Sequence, residues 1–183
     1  MTTQEVLRNA LKEQFRAAIA MLTNCVEICP DDLWTTPNFE IDDGDRTIYR
    51  AFWRIAFHGV YFTHLYMGQS VADFRPWPGR RKGYFEGMWH EPWDIEPFEF
   101  PRDADPVTKA ELLDYIAYVD GLIDANFDRL NLETSDSGVP WYPSLNKLSH
   151  ELLTLRHLQG HIGQLSELLM ARGLDPKWIS RVP

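Results

Sequence analysis

Apolar residues recur at helical spacing along most of the chain, and the pattern predicts four long helices. The first runs from about Thr3 to Ile28 with one apolar face, and Pro30 ends it. Residues 31–34 are predicted to form a new turn after the first helix. The second helix runs from about Thr47 to Met67, beyond a polar stretch at residues 42–45.

The third and fourth helices carry recognisable end signals. The third runs from Thr108 to about Leu130, and Glu111 completes a capping-box pattern with Thr108. The fourth lies within 144–172, a stretch without proline in which Ser144 is the candidate N-cap and Gly173 follows the last turn. Four helices in 183 residues indicate an all-α fold in a single domain, 1–183, with room for a buried core.

The segment at about 72–106, between the second and third helices, differs from the rest of the chain. It holds six prolines and eight aromatic residues, namely Phe74, Trp77, Tyr84, Phe85, Trp89, Trp93, Phe98 and Phe100. Loops this long are usually functional or disordered, and so many aromatic residues argue against disorder. Two interpretations stay open: a lid that walls a substrate pocket, or a structural cover or dimer contact.

Composition narrows the function classes. The net charge is −9 and no basic block stands out, which argues against nucleic-acid binding. The first residues lack the apolar core of a signal peptide, and no apolar stretch approaches the roughly 20 residues of a membrane span. We therefore expect a cytoplasmic protein without a membrane partner. Cys25 and Cys29 are either a redox or metal-binding pair or two small buried side chains.

The most informative feature is the pair His157 and His161, four residues apart on the fourth helix. This spacing places two imidazoles on one helix face, where they can bind a single divalent metal ion. The pair shares a seam with apolar residues, and burying an unpaired polar group costs roughly 2–7 kcal/mol. A metal ion would satisfy these side chains, and so would backbone carbonyls or buried water.

A third metal ligand has to come from another helix, and the second helix offers His58 and His64. Six residues apart, they point about 120° away from each other and cannot both face one ion. His58 shares a seam with Ile55, Phe62 and Leu65, which indicates the inner face. We therefore favour His58 and keep His64 as the alternative.

Three further polar residues could serve the site. His150 lies seven residues before His157, roughly 10 Å along the helix axis, so it suits a supporting, structural or pocket-lining role. His90 lies in the long loop and is expected to be exposed. Asp120 falls on the apolar stripe of the third helix, where it either orients a metal-bound histidine through the free ring N–H or faces water.

The chain resembles the DinB/YfiT-like metalloenzyme superfamily. The likeness is carried by His58 in the second helix and by His157 and His161, followed by Gly163-Gln164-Leu165, in the fourth. The resemblance implies a DinB-like four-helix bundle in up-down-down-up order, often dimeric. It also implies that His58, His157 and His161 bind a divalent metal ion. The long insertion at 72–106 exceeds what a minimal member would contain.

The resemblance and the chemistry of the site suggest two kinds of function. Some family members are thiol-dependent transferases or isomerases, and a three-histidine ion can also activate water for hydrolysis. The alternative is a non-catalytic module that binds the metal or a small ligand. Nickel, zinc, iron or cobalt would suit three imidazoles. We expect a small, partly apolar substrate, a low-molecular-weight thiol as co-substrate, and a homodimer.

Overall fold

The computed structural model describes residues 1–42, 47–81 and 104–182, and most of them are helical. The elements are α1 (Thr3–Ile28), α2 (Asp31–Trp34), β1 (Pro37–Asp42), β2 (Thr47–Ala51), α3 (Phe52–Tyr66), a 3₁₀ turn (Val71–Asp73), α4 (Lys109–Phe127) and α5 (Lys147–Met170). The four long helices α1, α3, α4 and α5 correspond to the four predicted from the sequence. The helical class is therefore confirmed, whereas the extent of the domain stays a prediction.

A short hairpin replaces the predicted first turn of the second helix. Thr47–Ala51 pairs antiparallel with Pro37–Asp42, so the expectation of a helix from Thr47 is wrong, and α3 begins at Phe52. The β-branched and aromatic residues of Thr47-Ile48-Tyr49 favour a strand. Ala51, the N-cap of α3, is extended and makes no side-chain capping bond.

The predicted end signals hold at some termini and fail at one. Thr108 and Glu111 form the predicted capping box at the start of α4, and Gly173 has the positive φ, +74°, of a residue that ends a helix. Ser144, however, is not the N-cap of α5. The Asn146 side chain caps that helix by accepting the Ser149 backbone N–H at 2.8 Å.

Contacts between the ends of the helices give their relative directions. Arg8, near the start of α1, donates to the carbonyl of Leu130 just after α4. At the other end, Lys109 of α4 donates to the carbonyl of Cys29, so these two helices are antiparallel. α3 and α5 are also antiparallel, because the end of α3 contacts the start of α5 through the Tyr66 and His150 rings.

α3 and α4 run in the same direction. At their starting ends both are linked to Trp34, whose ring packs on Phe52 and whose indole N–H donates to the carbonyl of Val107. At their far ends, the Gln69 side chain accepts the backbone N–H of Asn131 at 2.8 Å. α1 and α5 consequently run together in the opposite direction, with the Cys25 sulfur 3.8 Å from the Ser166 hydroxyl.

Every residue of α3 is buried except His58, which is half-buried. A helix that is covered all round lies at the centre of its domain. Its neighbours contribute the buried apolar faces of α1, α4 and α5 to one continuous core. α3 therefore reaches solvent only at the position of a histidine that the sequence marks as a metal ligand.

Part of the aromatic segment packs on this core. The Trp77 ring stacks on Tyr115 of α4 at 5.1 Å, and Phe74 contacts the His64 ring at 4.5 Å. These contacts favour a covering role for the first residues of the segment. The other six aromatic residues and His90 lie outside the described residues, so the lid hypothesis stays a prediction.

An ion pair at the start of α5 is completely buried. The Lys147 ammonium lies 2.9 Å from a Glu151 carboxylate oxygen, and both side chains have no exposed surface. Lys147 also donates to the carbonyls of Gly68 and Ser137, which ties α5 to the end of α3 and to the loop before α5. In the same loop only glycine fits at Gly138, where φ is +77° and a Cβ would lie 2.0 Å from the carbonyl oxygen of Gln69.

Replacing one member of this ion pair should destabilise the fold strongly. We expect Lys147→Met to lower the free energy of unfolding by about 3–5 kcal/mol, because it leaves the Glu151 carboxylate buried without a counter-charge. Chemical denaturation of the variant measures this loss.

Two companion variants test the cause of that loss. Lys147→Met/Glu151→Leu should recover part of the stability, since neither buried charge remains. Lys12→Met, at a pair with the exposed Asp124 and Asp128, should cost about 1 kcal/mol or less. Equal losses for Lys147→Met and Lys12→Met would contradict a special role for the buried pair.

Candidate metal centre

Three histidines from two helices converge where α3 meets α5. The Nε2 atom of His157 lies 3.1 Å from Nε2 of His58 and 3.0 Å from Nε2 of His161. The three side chains offer ring nitrogens that all lie within 4.8 Å of one another. His161 is 8% exposed and the other two are half-buried, so the cluster lies at the edge of the core with a route to solvent.

The distances from Nε2 of His157 to the other two Nε2 atoms match the nitrogen–nitrogen separations around a bound metal ion. Nitrogen–metal bonds of about 2.0–2.1 Å imply nitrogen separations of about 2.8–3.0 Å at right angles and about 3.3–3.4 Å in a tetrahedron. The observed 3.0 and 3.1 Å lie between these limits. Two of the three nitrogen separations therefore match one divalent ion, and the third, between His58 and His161, lies within 4.8 Å.

Hydrogen bonding alone does not satisfy the cluster. A neutral imidazole nitrogen carries either one N–H or one lone pair, and Nε2 of His157 faces two other ring nitrogens at hydrogen-bond distance. One proton cannot serve both contacts at full strength. A cation placed between the three nitrogens accepts all three lone pairs and removes this conflict.

Gln164 fixes the ring orientation of His161. Its side-chain oxygen lies 2.9 Å from Nδ1 of His161, so the Nδ1–H donates to Gln164 and leaves the lone pair on Nε2. This is the tautomer that a metal ligand needs, and such supporting bonds orient ligating histidines. The sequence marks Gln164 only as part of the Gly163-Gln164-Leu165 run and does not assign it this role; its position three residues after His161, on the same helix face, was the available signal.

Burial keeps the three imidazoles neutral. It is the largest cause that lowers the pKa of each ring: well below the ordinary value for His58, to about 4 for His157, and to a lesser degree for His161. The Arg50 guanidinium lowers all three pKa values further, and the bond to Gln164 partly offsets the effect on His161. Neutral rings are the form that binds a metal.

The structure separates the two candidates for the third ligand. His58 joins His157 and His161, whereas the Nδ1 of His64 lies 3.0 Å from the Tyr115 hydroxyl on another face of α3. The preference for His58 agrees with this geometry. Burial lowers the pKa of His64 to about 3.

The remaining polar candidates lie away from the three histidines. His150 is fully buried against Tyr66 and Tyr142, in keeping with a structural role. Asp120 is on the side of α4 that faces Arg16 of α1, so an orienting role at the metal centre is not supported.

Cys25 and Cys29 are buried and free, which fits the interpretation as small core side chains. Burial raises the pKa of the Cys29 thiol to about 12, so it stays protonated at neutral pH.

The chain matches none of the protein-family models, curated proteins or solved structures with which it was compared. Within the described part of the chain, no helix is both long enough and apolar enough to cross a membrane. The geometry of the three histidines therefore carries the functional argument.

Gln164→Leu should weaken metal binding by about 10- to 100-fold, because His161 loses the acceptor that holds its ring and tautomer. Competition with a chromophoric chelator measures the affinity. Gln164→Glu, which keeps an acceptor, should restore binding. Gln159→Leu, on the face of α5 toward α1, is the matched control and should bind as wild type. Equal affinities for both leucine variants would contradict the role of Gln164.

The metal-free protein should lose stability as pH falls below about 6.5. The pKa of His157 is about 4 when folded and about 6.5 when unfolded, so the unfolded chain binds more protons between these values. The stabilisation from neutral His157 is complete above pH 6.5 and is lost as pH falls toward 4.

Denaturation at several pH values measures this effect. His157→Gln should flatten the slope by up to about 1.4 kcal/mol per pH unit. An unchanged slope in the variant would show that His157 titrates normally in the folded protein.

Proposed function

We propose that this protein is a metal-dependent enzyme that binds one divalent ion through His58, His157 and His161. The observation that supports it most directly is the convergence of three histidines on two packed helices, with Nε2 of His157 3.1 Å from that of His58 and 3.0 Å from that of His161. Three neutral imidazole ligands suit nickel, zinc, iron or cobalt. Three protein ligands also leave coordination positions open, as catalytic rather than structural metal sites do.

We further propose that the chain belongs to the DinB/YfiT-like superfamily. α1 and α5 run one way and α3 and α4 the other, which in chain order corresponds to the up-down-down-up bundle of that family. One histidine from the second long helix and two from the fourth meet in space, in agreement with the family pattern. The run Gly163-Gln164-Leu165 adds the residue that supports His161.

The proposed reaction class is thiol-dependent transfer or isomerisation, with metal-assisted hydrolysis as the related possibility. A bound divalent ion would supply the positive charge that lowers the pKa of a thiol or of water. Gln164 would hold His161 in the orientation and tautomer that a metal ligand needs. The Phe62 ring, 4.5 Å from that of His58 and 5.7 Å from that of His157, keeps the buried side of the histidines apolar. The Arg50 charge adds positive potential that favours an anionic nucleophile.

The proposal also covers the substrate, the co-substrate, the assembly and the location of the protein. The buried Phe62 ring makes the protein side of the histidines apolar, which favours a small, partly apolar substrate. A low-molecular-weight thiol would be the co-substrate. The family resemblance suggests a homodimer, and the composition of the sequence suggests a cytoplasmic location.

Elemental analysis of tag-free protein tests the metal site. We expect about one divalent ion per chain in wild type, and loss of the ion in both His58→Ala and His157→Ala. His64→Gln is the matched control on the same helix and should retain the metal. No uptake by wild type after exposure to zinc, nickel, iron or cobalt would overturn the proposal.

A cobalt-loaded sample then separates the reaction classes. A change of the visible spectrum on addition of a small thiol supports direct activation of the thiol. A spectrum that stays unchanged with thiol argues for hydrolysis or for a non-catalytic binding module. Recovery of every tested ligand chemically intact would support the binding module.

A further inference from the structure

His64 is a buried histidine that the metal centre does not use. Its side chain is 4% exposed, and its Nδ1 is engaged with the Tyr115 hydroxyl at 3.0 Å. The ring lines a cleft of about 430 Å³ between the end of α3, the turn that follows it and the second half of α4. With Nδ1 occupied, the remaining ring nitrogen, Nε2, is the polar atom of His64 available to a molecule in this cleft.

Two arginines line the same cleft from different elements. Arg75, after the 3₁₀ turn, donates through Nη1 to the carbonyls of Ala72 and Phe74 at 2.8 and 2.7 Å. Arg129, after α4, donates through Nε to the carbonyl of Ala125 at 2.6 Å. These bonds to backbone carbonyls hold each guanidinium in place without neutralising it. Within residues 1–42, 47–81 and 104–182, neither arginine forms an ion pair with a carboxylate.

The other polar groups of the cleft include hydrogen-bond acceptors, but Asp73 carries the one carboxylate among its lining residues. The Asp73 carboxylate accepts the backbone N–H of Ser70 at 3.1 Å, and the Gln69 oxygen accepts that of Asn131 at 2.8 Å. The amide N–H₂ of Gln69 remains as a donor. Two guanidinium groups against one carboxylate give the cleft a local positive charge on a chain whose net charge is −9.

We propose that the His64 cleft is a second ligand site, separate from the metal centre, that binds the oxyanion of a small molecule between Arg75 and Arg129. A planar guanidinium pairs with carboxylate or phosphate oxygens through two parallel N–H donors. His64 lies at the buried side of the cleft and contributes a neutral imidazole there. The two arginines supply the charge, and the volume limits the ligand to a small metabolite.

Isothermal titration with inorganic phosphate and with acetate, at constant ionic strength, tests the site. We expect saturable binding of at least one probe, and the stronger probe identifies the preferred oxyanion. Arg75→Gln and Arg129→Gln should each weaken binding about tenfold or more, because each removes a charge-assisted pair. Arg172→Gln, at an exposed pair with Asp32, is the matched control and should bind as wild type.

A His157→Ala background keeps this result independent of the metal centre. Binding that persists in that variant supports the His64 cleft, whereas binding that disappears places the anion at the metal and overturns the proposal. Equal responses in all three arginine variants would show a general salt effect and overturn it too. So would the lack of saturable binding by either probe. Metal analysis of the same samples reports separately on the proposed enzyme function.

Discussion

The burial of every residue of α3 except His58 is the constraint on which the site depends. A helix covered on all sides has to pair each polar side chain within the protein, because an unpaired one costs roughly 2–7 kcal/mol. Thr63 donates to the Gly59 carbonyl, and His64 bonds to Tyr115. His58 is the only residue of α3 near solvent, and its partners are two more imidazoles. Three ring nitrogens satisfy each other poorly, so the position where α3 reaches solvent is also the position where a cation could be bound.

The axial register between α3 and α5 brings these nitrogens together. Lys147, buried with Glu151, donates to the carbonyl of Gly68 at the end of α3, and this contact sets where α5 begins. His157 follows Lys147 by ten residues, about 15 Å along the axis, and comes level with His58. A slip of one helical turn, about 5.4 Å, would separate the ligands by more than a metal bond can span. A buried ion pair away from the three histidines thus helps to set the register that brings them together.

Helical periodicity accounts for what could be predicted. The spacing of His157 and His161, and the 120° between His58 and His64, are properties of one helix each, so they follow from the sequence. The hairpin at Pro37–Ala51 depends on pairing between two short segments, and periodicity in either is too brief to reveal it. The burial of Lys147 and Glu151 could not be predicted from the sequence either. An acid and a base four residues apart usually lie on an exposed helix face, whereas here the lysine contacts both the end of α3 and the loop before α5.

α3 carries two histidines whose surroundings differ. His58 faces two further imidazoles, one of them oriented by Gln164. His64 bonds to the Tyr115 hydroxyl, and its ring lines a cleft that also contains Arg75 and Arg129. A divalent ion held by three neutral rings would keep its full charge and attract an anion, and so would a pair of arginines without carboxylate partners among the described residues. Under the two proposals, an acidic chain would concentrate positive charge at two positions along its central helix, one suited to activating a bound group and the other to recognising one.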